Sequence, residues 1–120
     1  MAKILIVDDS AFARKVVETV VVEGGHEVVG CAENSESALE SFKRLNPELV
    51  TLDYLMLDKS GEDVLREIIE CDPFARVIMV SGSGDHTIAE KALEQGAKDF
   101  VEKPFMKRDL LKAIDQVMTA

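Results

Sequence analysis

Short, almost wholly apolar runs alternate along this chain with longer stretches in which apolar residues return every three or four positions. The short runs cover residues 3–7, 27–32, 48–52, 77–80 and 98–101. Each has the length of a strand. A continuous apolar run, as in Ile4-Leu5-Ile6-Val7, marks a strand covered on both faces. The stretches between them carry helical spacing. Residues 11–23 predict a first helix with Phe12, Val16 and Val20 as its inward line and Gly24-Gly25 as its stop. Five valines (Val16, Val17, Val20, Val21, Val22) make it a poor helix by propensity, yet the strand that follows at once requires a crossover there. Asn34 and Ser35 cap a second helix that turns Ala38, Leu39 and Phe42 inward and ends at Asn46-Pro47. Ser60, with Asp63 three residues on, starts a third. Its buried stripe is Val64, Leu65, Ile68 and Ile69, and Asp72-Pro73 breaks it. A fourth helix follows the loop Gly82-Ser83-Gly84-Asp85, runs to about residue 95 and stops at Gly96. A fifth, 107–118, buries Leu110, Leu111, Ile114 and Val117. Five strand–helix units in regular alternation predict an α/β fold: one parallel sheet with helices on both faces.

Composition narrows the function. The 120 residues suit one domain, 1–120, with no linker or low-complexity segment inside it. The net charge of −9 makes a nucleic acid a poor partner, because neutralising phosphates takes clustered Lys and Arg. It favours metal cations and basic partner patches instead. Cys31 and Cys71 lack metal-ligand spacing and are too few for a disulfide framework, so they are expected as reduced thiols in or near the core. The first apolar run is too short for a signal peptide or a membrane span, which predicts a cytoplasmic protein without membrane insertion. His26 and His86 have no catalytic partner nearby in sequence and are expected in surface or capping roles; the methionines are expected as gap-fillers in or near the core.

Candidate chemistry gathers at the carboxyl ends of the predicted strands. Asp8 and Asp9 follow the first, Asp53 the third, Ser81 the fourth and Lys103 the fifth. In a parallel sheet these ends share one edge, where ligands of open α/β folds bind. Two unit charges about 4 Å apart repel by roughly 4 kcal/mol at an effective dielectric of 20, so three carboxylates together call for a cation. Hard oxygens suit Mg²⁺. For Asp8-Asp9 alone, capping of the first helix would be reason enough. A carboxylate can also serve as a nucleophile toward phosphorus, given a metal and a cation to hold the phosphoryl oxygens. Asp53 with Mg²⁺ at Asp9, the Lys103 ammonium and the Ser81 hydroxyl provides that set.

With Asp8-Asp9, Asp53, Ser81, Phe100 and Lys103-Pro104-Phe105 in this order, the chain resembles over its whole length the receiver domain of bacterial two-component response regulators, in its stand-alone CheY-like form. The resemblance implies a flavodoxin-like (βα)5 sandwich with strand order 2-1-3-4-5. It implies that Asp53 accepts a phosphoryl group from a sensor histidine kinase. Asp9, Asp53 and the backbone carbonyl of Leu55 would bind Mg²⁺ (or Mn²⁺ in its place), with Asp8 helping through water. Ser81 and Phe100 would form a switch pair, Phe100 being otherwise a core residue. Lys103 would contact the phosphoryl, and the Lys103-Pro104 bond would be cis. Lys98, Lys107, Arg108 and Lys112 would belong to a partner-docking face; on their own they read equally as a solvated helix surface. The family implies a monomer that is a signalling phosphoacceptor rather than an enzyme, with output through protein binding because no effector domain follows Ala120. The downstream partner would be the flagellar motor switch in chemotaxis, or a histidine phosphotransfer protein in a phosphorelay, or none in a phosphate sink; a phosphatase would be a further partner.

Three positions depart from the family pattern. Leu57 stands where proline is usual, Ser81 where threonine is commoner, and Gly82 where alanine is commoner. Leu55 and Ser83 fall at variable positions that tune loss of the phosphoryl. A haloacid-dehalogenase-like phosphatase would need a second Asp where Leu55 stands. A nucleotide- or flavin-binding module would need a phosphate loop where Asp8-Asp9 would repel the ligand.

Overall fold

The computed structural model describes residues 1–54, 60–82 and 86–120. Five strands, β1 (Lys3–Val7), β2 (Glu27–Ala32), β3 (Leu49–Asp53), β4 (Val77–Ser81) and β5 (Asp99–Glu102), form one parallel sheet in the order β2-β1-β3-β4-β5. The helices are α1 (Ala11–Glu23), α2 (Ser35–Leu45), α3 (Gly61–Cys71), α4 (His86–Glu94) and α5 (Lys107–Thr119). This is the flavodoxin-like architecture expected from the resemblance. β3 and β5 each lie one residue later than the apolar runs suggest, so Asp53 is the last residue of its strand. A polar side chain at a strand's end still pairs its backbone with the neighbouring strand, and periodicity does not register that pairing.

Two cores sandwich the sheet. Leu5, Val7, Val50, Leu52, Val77 and Met79 pack with α2 and α3 residues on one face. Ile4, Ile6, Leu49, Ile78 and Val80 pack with Val17 and Val21 of α1 and Leu110, Ile114 and Val117 of α5 on the other. Alternate residues of the same strand thus serve opposite cores, which is why β1, β3 and β4 are buried along both faces and read as mostly apolar runs. The helix ends follow local chemistry. Ser10 Oγ accepts from the Ala13 N–H at the start of α1. Asn34 and Ser37 bond reciprocally at the start of α2, and Ser60 Oγ accepts from Asp63 N–H at the start of α3. Gly25 and Gly96 turn the chain with positive φ after α1 and α4.

The inward face of α1 matches the expected one only in part: of Phe12, Val16 and Val20, only Val20 packs, partly buried, against the core. Val17 and Val21 are buried, while Phe12 is 79% exposed and Val16 is exposed as well. With valines on two adjacent lines of the helix, apolarity does not choose between them; Gly24 does, because it lies against the Leu111 side chain of α5, where a bulkier residue would collide. The line Val17-Val21-Gly24 therefore faces α5. Cys31 and Cys71 are both exposed rather than near the core. Cys31 points out from the edge strand β2, and Cys71 ends α3 beyond its buried stripe. Met79 is a core residue as expected, but Met106 is exposed at the start of α5. Lys98, Lys107, Arg108 and Lys112 are all exposed; Lys107 pairs with Glu23 and Arg108 lies 4.0 Å from its neighbour Asp109.

Candidate functional site

The strand order brings the site together. The chain leaves β1 through α1 toward β2 on one side and returns through α2 to β3 on the other, so β1 and β3 are neighbours at the point where the order reverses. Val7 pairs with Leu52, which sets Asp8 and Asp9 beside Asp53 at the carboxyl edge. One carboxylate oxygen from each of Asp8, Asp9 and Asp53 lies within 4.8 Å of the others. Lys103, just past β5, reaches across β4 to the same place. Its Nζ is 2.9 Å from Asp8 Oδ2 and 3.6 Å from Asp53 Oδ1. The Lys103 N–H donates to the Ser81 carbonyl at 2.7 Å, which fixes the base of this arm against the end of β4. The Lys103-Pro104 peptide is cis.

The carboxylates are not equivalent. Asp8 is 4% exposed and both of its oxygens are engaged, Oδ1 by the Ser10 N–H at 2.9 Å and Oδ2 by Lys103. Asp53 is 9% exposed, and its pKa is raised from 3.8 to about 6. Burial is the chief cause, the negative charge of Asp8 adds to it, Lys103 opposes it and Asp9 adds again. For Lys103, burial pushes toward the neutral amine, but the hydrogen bond to Asp8 and the charges of Asp53 and Asp8 outweigh it and hold the ammonium above its usual pKa. One lysine thus faces three carboxylates that together hold more negative charge than it offsets. Their hard oxygens and that residual charge fit a divalent cation of the Mg²⁺ kind.

Ser81 is 1% exposed at the end of β4. Phe100, paired with Met79 in the sheet, is half-buried and packs against the core on the α2–α3 side. Gly82 is exposed, and a methyl group there would sit 3.6 Å from Lys103 Cβ, an ordinary contact; this departure from the family pattern relieves no crowding. Leu55, Leu57 and Ser83, and with them the expected carbonyl ligand, lie outside the described residues. So does the side chain of His86. The His26 side chain caps no helix; its Nδ1 accepts the Ala2 N–H at 3.0 Å, tying the start of the chain to the start of β2, and burial and the N-terminal ammonium lower its pKa against the opposing pull of Asp115.

Periodicity and strand-end reading missed three features around the site. Arg14 Nη1 donates to the Asp8 carbonyl at 2.7 Å. Gly61 donates its N–H to the Tyr54 carbonyl and packs on the Asp53–Tyr54 backbone. Phe12 and Val16, with Pro104 and Phe105, wall an apolar hollow of about 330 Å³ beside Lys103. The Ser60-Gly61 pair was the one legible signal, since glycine is an unusual opening residue for a helix that Ser60 already caps.

A doubly wound parallel sheet with an acidic cluster and a lysine at its switch point defines a class, and the sequence comparison agrees with it: residues 4–115 match the response regulator receiver domain, and the chain belongs to that family. Among its curated relatives, the chemotaxis protein CheY of Bacillus subtilis (strain 168) is 42% identical over 116 residues, 97% of each chain. The chemotaxis protein CheY of Thermotoga maritima is 38% identical over 115 residues, 96% of each. Among solved structures, the CheX–CheY–BeF3–Mg²⁺ complex from Borrelia burgdorferi superposes with a TM-score of 0.92 at 34% identity, covering 96% of this chain and 87% of that one.

Proposed function

We propose that this protein is a phosphorylation-dependent signalling module in which Asp53 is the phosphoacceptor and Asp8, Asp9, Ser81, Phe100 and Lys103 serve it. One observation carries this reading: three carboxylates with oxygens within 4.8 Å of one another, faced by a lysine that touches two of them. A phosphorus-bound nitrogen of a histidine kinase is the donor. An Asp53 carboxylate oxygen attacks the phosphorus, the P–N bond breaks, and the electron pair leaves with the imidazole, which takes up a proton. Mg²⁺, when bound, neutralises charge on the phosphoryl oxygens. Asp9 and Asp53 would hold it through their carboxylates, and the expected third ligand, the Leu55 carbonyl, lies outside the described residues. Asp8, with both oxygens already engaged, acts through water. The Lys103 ammonium pairs with a phosphoryl oxygen and the Ser81 hydroxyl donates to another, drawing Phe100 inward behind it. The Lys103-Asp8 hydrogen bond holds the ammonium in position for this before the phosphoryl arrives.

The module works as an acceptor and switch in the cytoplasm, as a monomer, and not as a turnover enzyme. Its output is chemotaxis, by binding the flagellar motor switch through the face that carries Lys98, Lys107, Arg108 and Lys112; a phosphatase is a further partner. Relatives named as chemotaxis proteins that match this chain end to end support the assignment, as does a relative solved as a complex with CheX, BeF3 and Mg²⁺. A phosphorelay role would instead have a histidine phosphotransfer protein as partner.

The test is incubation with acetyl phosphate, with and without Mg²⁺, read by intact mass. A gain of one phosphoryl that needs Mg²⁺ and is lost in Asp53→Asn is expected. Labelling that persists in Asp53→Asn, or ignores the metal, would sink the mechanism. Capture of the motor-switch protein by the phosphorylated form alone is the expected result for the pathway; capture of a histidine phosphotransfer protein would reassign it.

A further inference from the structure

Asp53 is not held by its strand alone. The start of α3 returns against it. The Gly61 N–H donates to the Tyr54 carbonyl, and a Cβ at position 61 would sit 2.6 Å from Tyr54 Cα and collide with the Asp53 carbonyl. Gly61 therefore packs backbone to backbone on the phosphoacceptor. The next residue, Glu62, reaches the other way: its Oε1 accepts a hydrogen bond of 2.8 Å from Gln95 Nε2, thirty-three positions along the chain. Gln95 lies in the turn between α4 and β5. Its Oε1 is buried and has no partner among the described residues. A buried acceptor without a partner is costly, and an apolar side chain of similar size would avoid that cost. What the amide offers that an apolar group does not is its bond to Glu62. Gly96, at φ +115, follows with Ile69 of α3 at 3.0 Å from where its Cβ would be. The α4–β5 turn thus rests on α3 at two places, one of them adjacent to the glycine that abuts Asp53.

We propose that Gln95 is a positioning residue for the phosphoacceptor: by holding the Glu62 carboxylate it keeps the first turn of α3 seated on the Asp53–Tyr54 backbone and so sets the aim of the Asp53 carboxylate. The inference rests on Asp53 being the acceptor. It adds a contact from the α4–β5 turn that is separate from Ser81 and Phe100, and that coupling acts in both directions.

Two readouts test it. In metal-free protein, hydrogen exchange of the Gly61 amide reports the seating of α3 directly. Gln95→Ala is expected to speed that exchange about fivefold to tenfold, with the β1 amides unchanged. Labelling by acetyl phosphate with Mg²⁺ is expected to slow about fivefold. Gln95→Glu, which sets two carboxylates face to face, should do more. Combining Gln95→Glu with Glu62→Gln restores a donor–acceptor pair with the roles exchanged, and should bring both readouts within twofold of wild type. Wild-type exchange and labelling in Gln95→Ala, even with a lower melting temperature, would overturn the proposal, as would failure of the exchanged pair to recover. A wild-type protein that takes no phosphoryl would defeat the acceptor reading, and Gly61 exchange would still decide whether Gln95 seats α3.

Discussion

Asp53 carries its proton more tightly folded than unfolded, and this has a sign. Its pKa rises from 3.8 to about 6 on folding. The stability linked to that proton is fully present below about pH 4 and is lost as the pH climbs through 6. In metal-free buffer, ionised Asp53 should therefore weaken the fold by on the order of 3 kcal/mol at neutral pH. Asp53→Asn is expected to match the wild type at pH 4 and to exceed it increasingly up to pH 6, with a plateau above; urea midpoints across that range measure it. Thr51, two residues earlier and 2% exposed, has a buried hydroxyl without a partner among the described residues. Thr51→Val keeps the shape and removes the orphan, and should raise stability by about 1 kcal/mol by thermal unfolding. Asp53 was legible because a lone carboxylate ended an apolar run. The idle hydroxyl of Thr51 was not: a threonine within a strand looks well placed by propensity, and only the packing reveals that nothing meets its oxygen.

Among the elements, α1 teaches the most about reading faces. Its position and both ends were legible from the strand spacing and from Gly24-Gly25, but its rotation was not. Apolar side chains cover more of its circumference than α5 and the sheet can bury, and Phe12 is left outside. Phe12→Ser is accordingly expected to change stability by less than about 0.5 kcal/mol, whereas Val21→Ala, in the core, should cost about 1.5 to 3 kcal/mol. Equal losses in urea unfolding would return Phe12 to the buried face. The start of α3 carries the opposite lesson. Its cap was plain from Ser60, yet the reason for Gly61 lies in residues seven and eight positions back, and a local window does not contain it. Gly61→Ala should cost more than the roughly 1 kcal/mol that glycine-to-alanine exchange gains within an ordinary helix, and with the opposite sign. It should also slow labelling by acetyl phosphate, because the methyl group would push on the Asp53–Tyr54 backbone.

For the whole molecule, the alternation of strands and helices was enough to predict a parallel sheet covered on both faces, but not which strands are neighbours. Adjacency depends on which side each crossover takes, and side chains within one unit do not encode that choice. The order 2-1-3-4-5 was therefore expected from the family resemblance alone, and the meeting of Asp8, Asp9, Asp53 and Lys103 follows from it. The same meeting concentrates charge in a chain whose net charge is already −9. A divalent ion that binds the folded cluster alone must stabilise the fold by mass action, by about 2.7 kcal/mol at a hundredfold excess over its dissociation constant. Mg²⁺ is expected to raise the melting temperature, EDTA to reverse the gain, and Asp9→Asn to lose most of it.

The chain contains one tyrosine and no tryptophan. That tyrosine is Tyr54, half-buried against the core and next in sequence to Asp53, the proposed phosphoacceptor. When the protein is excited in the near ultraviolet, its intrinsic emission therefore originates beside the Asp53 carboxylate. The molecule carries its own optical probe, placed where metal, proton and phosphoryl group would each be felt, and their arrival can be timed in the unlabelled, wild-type chain.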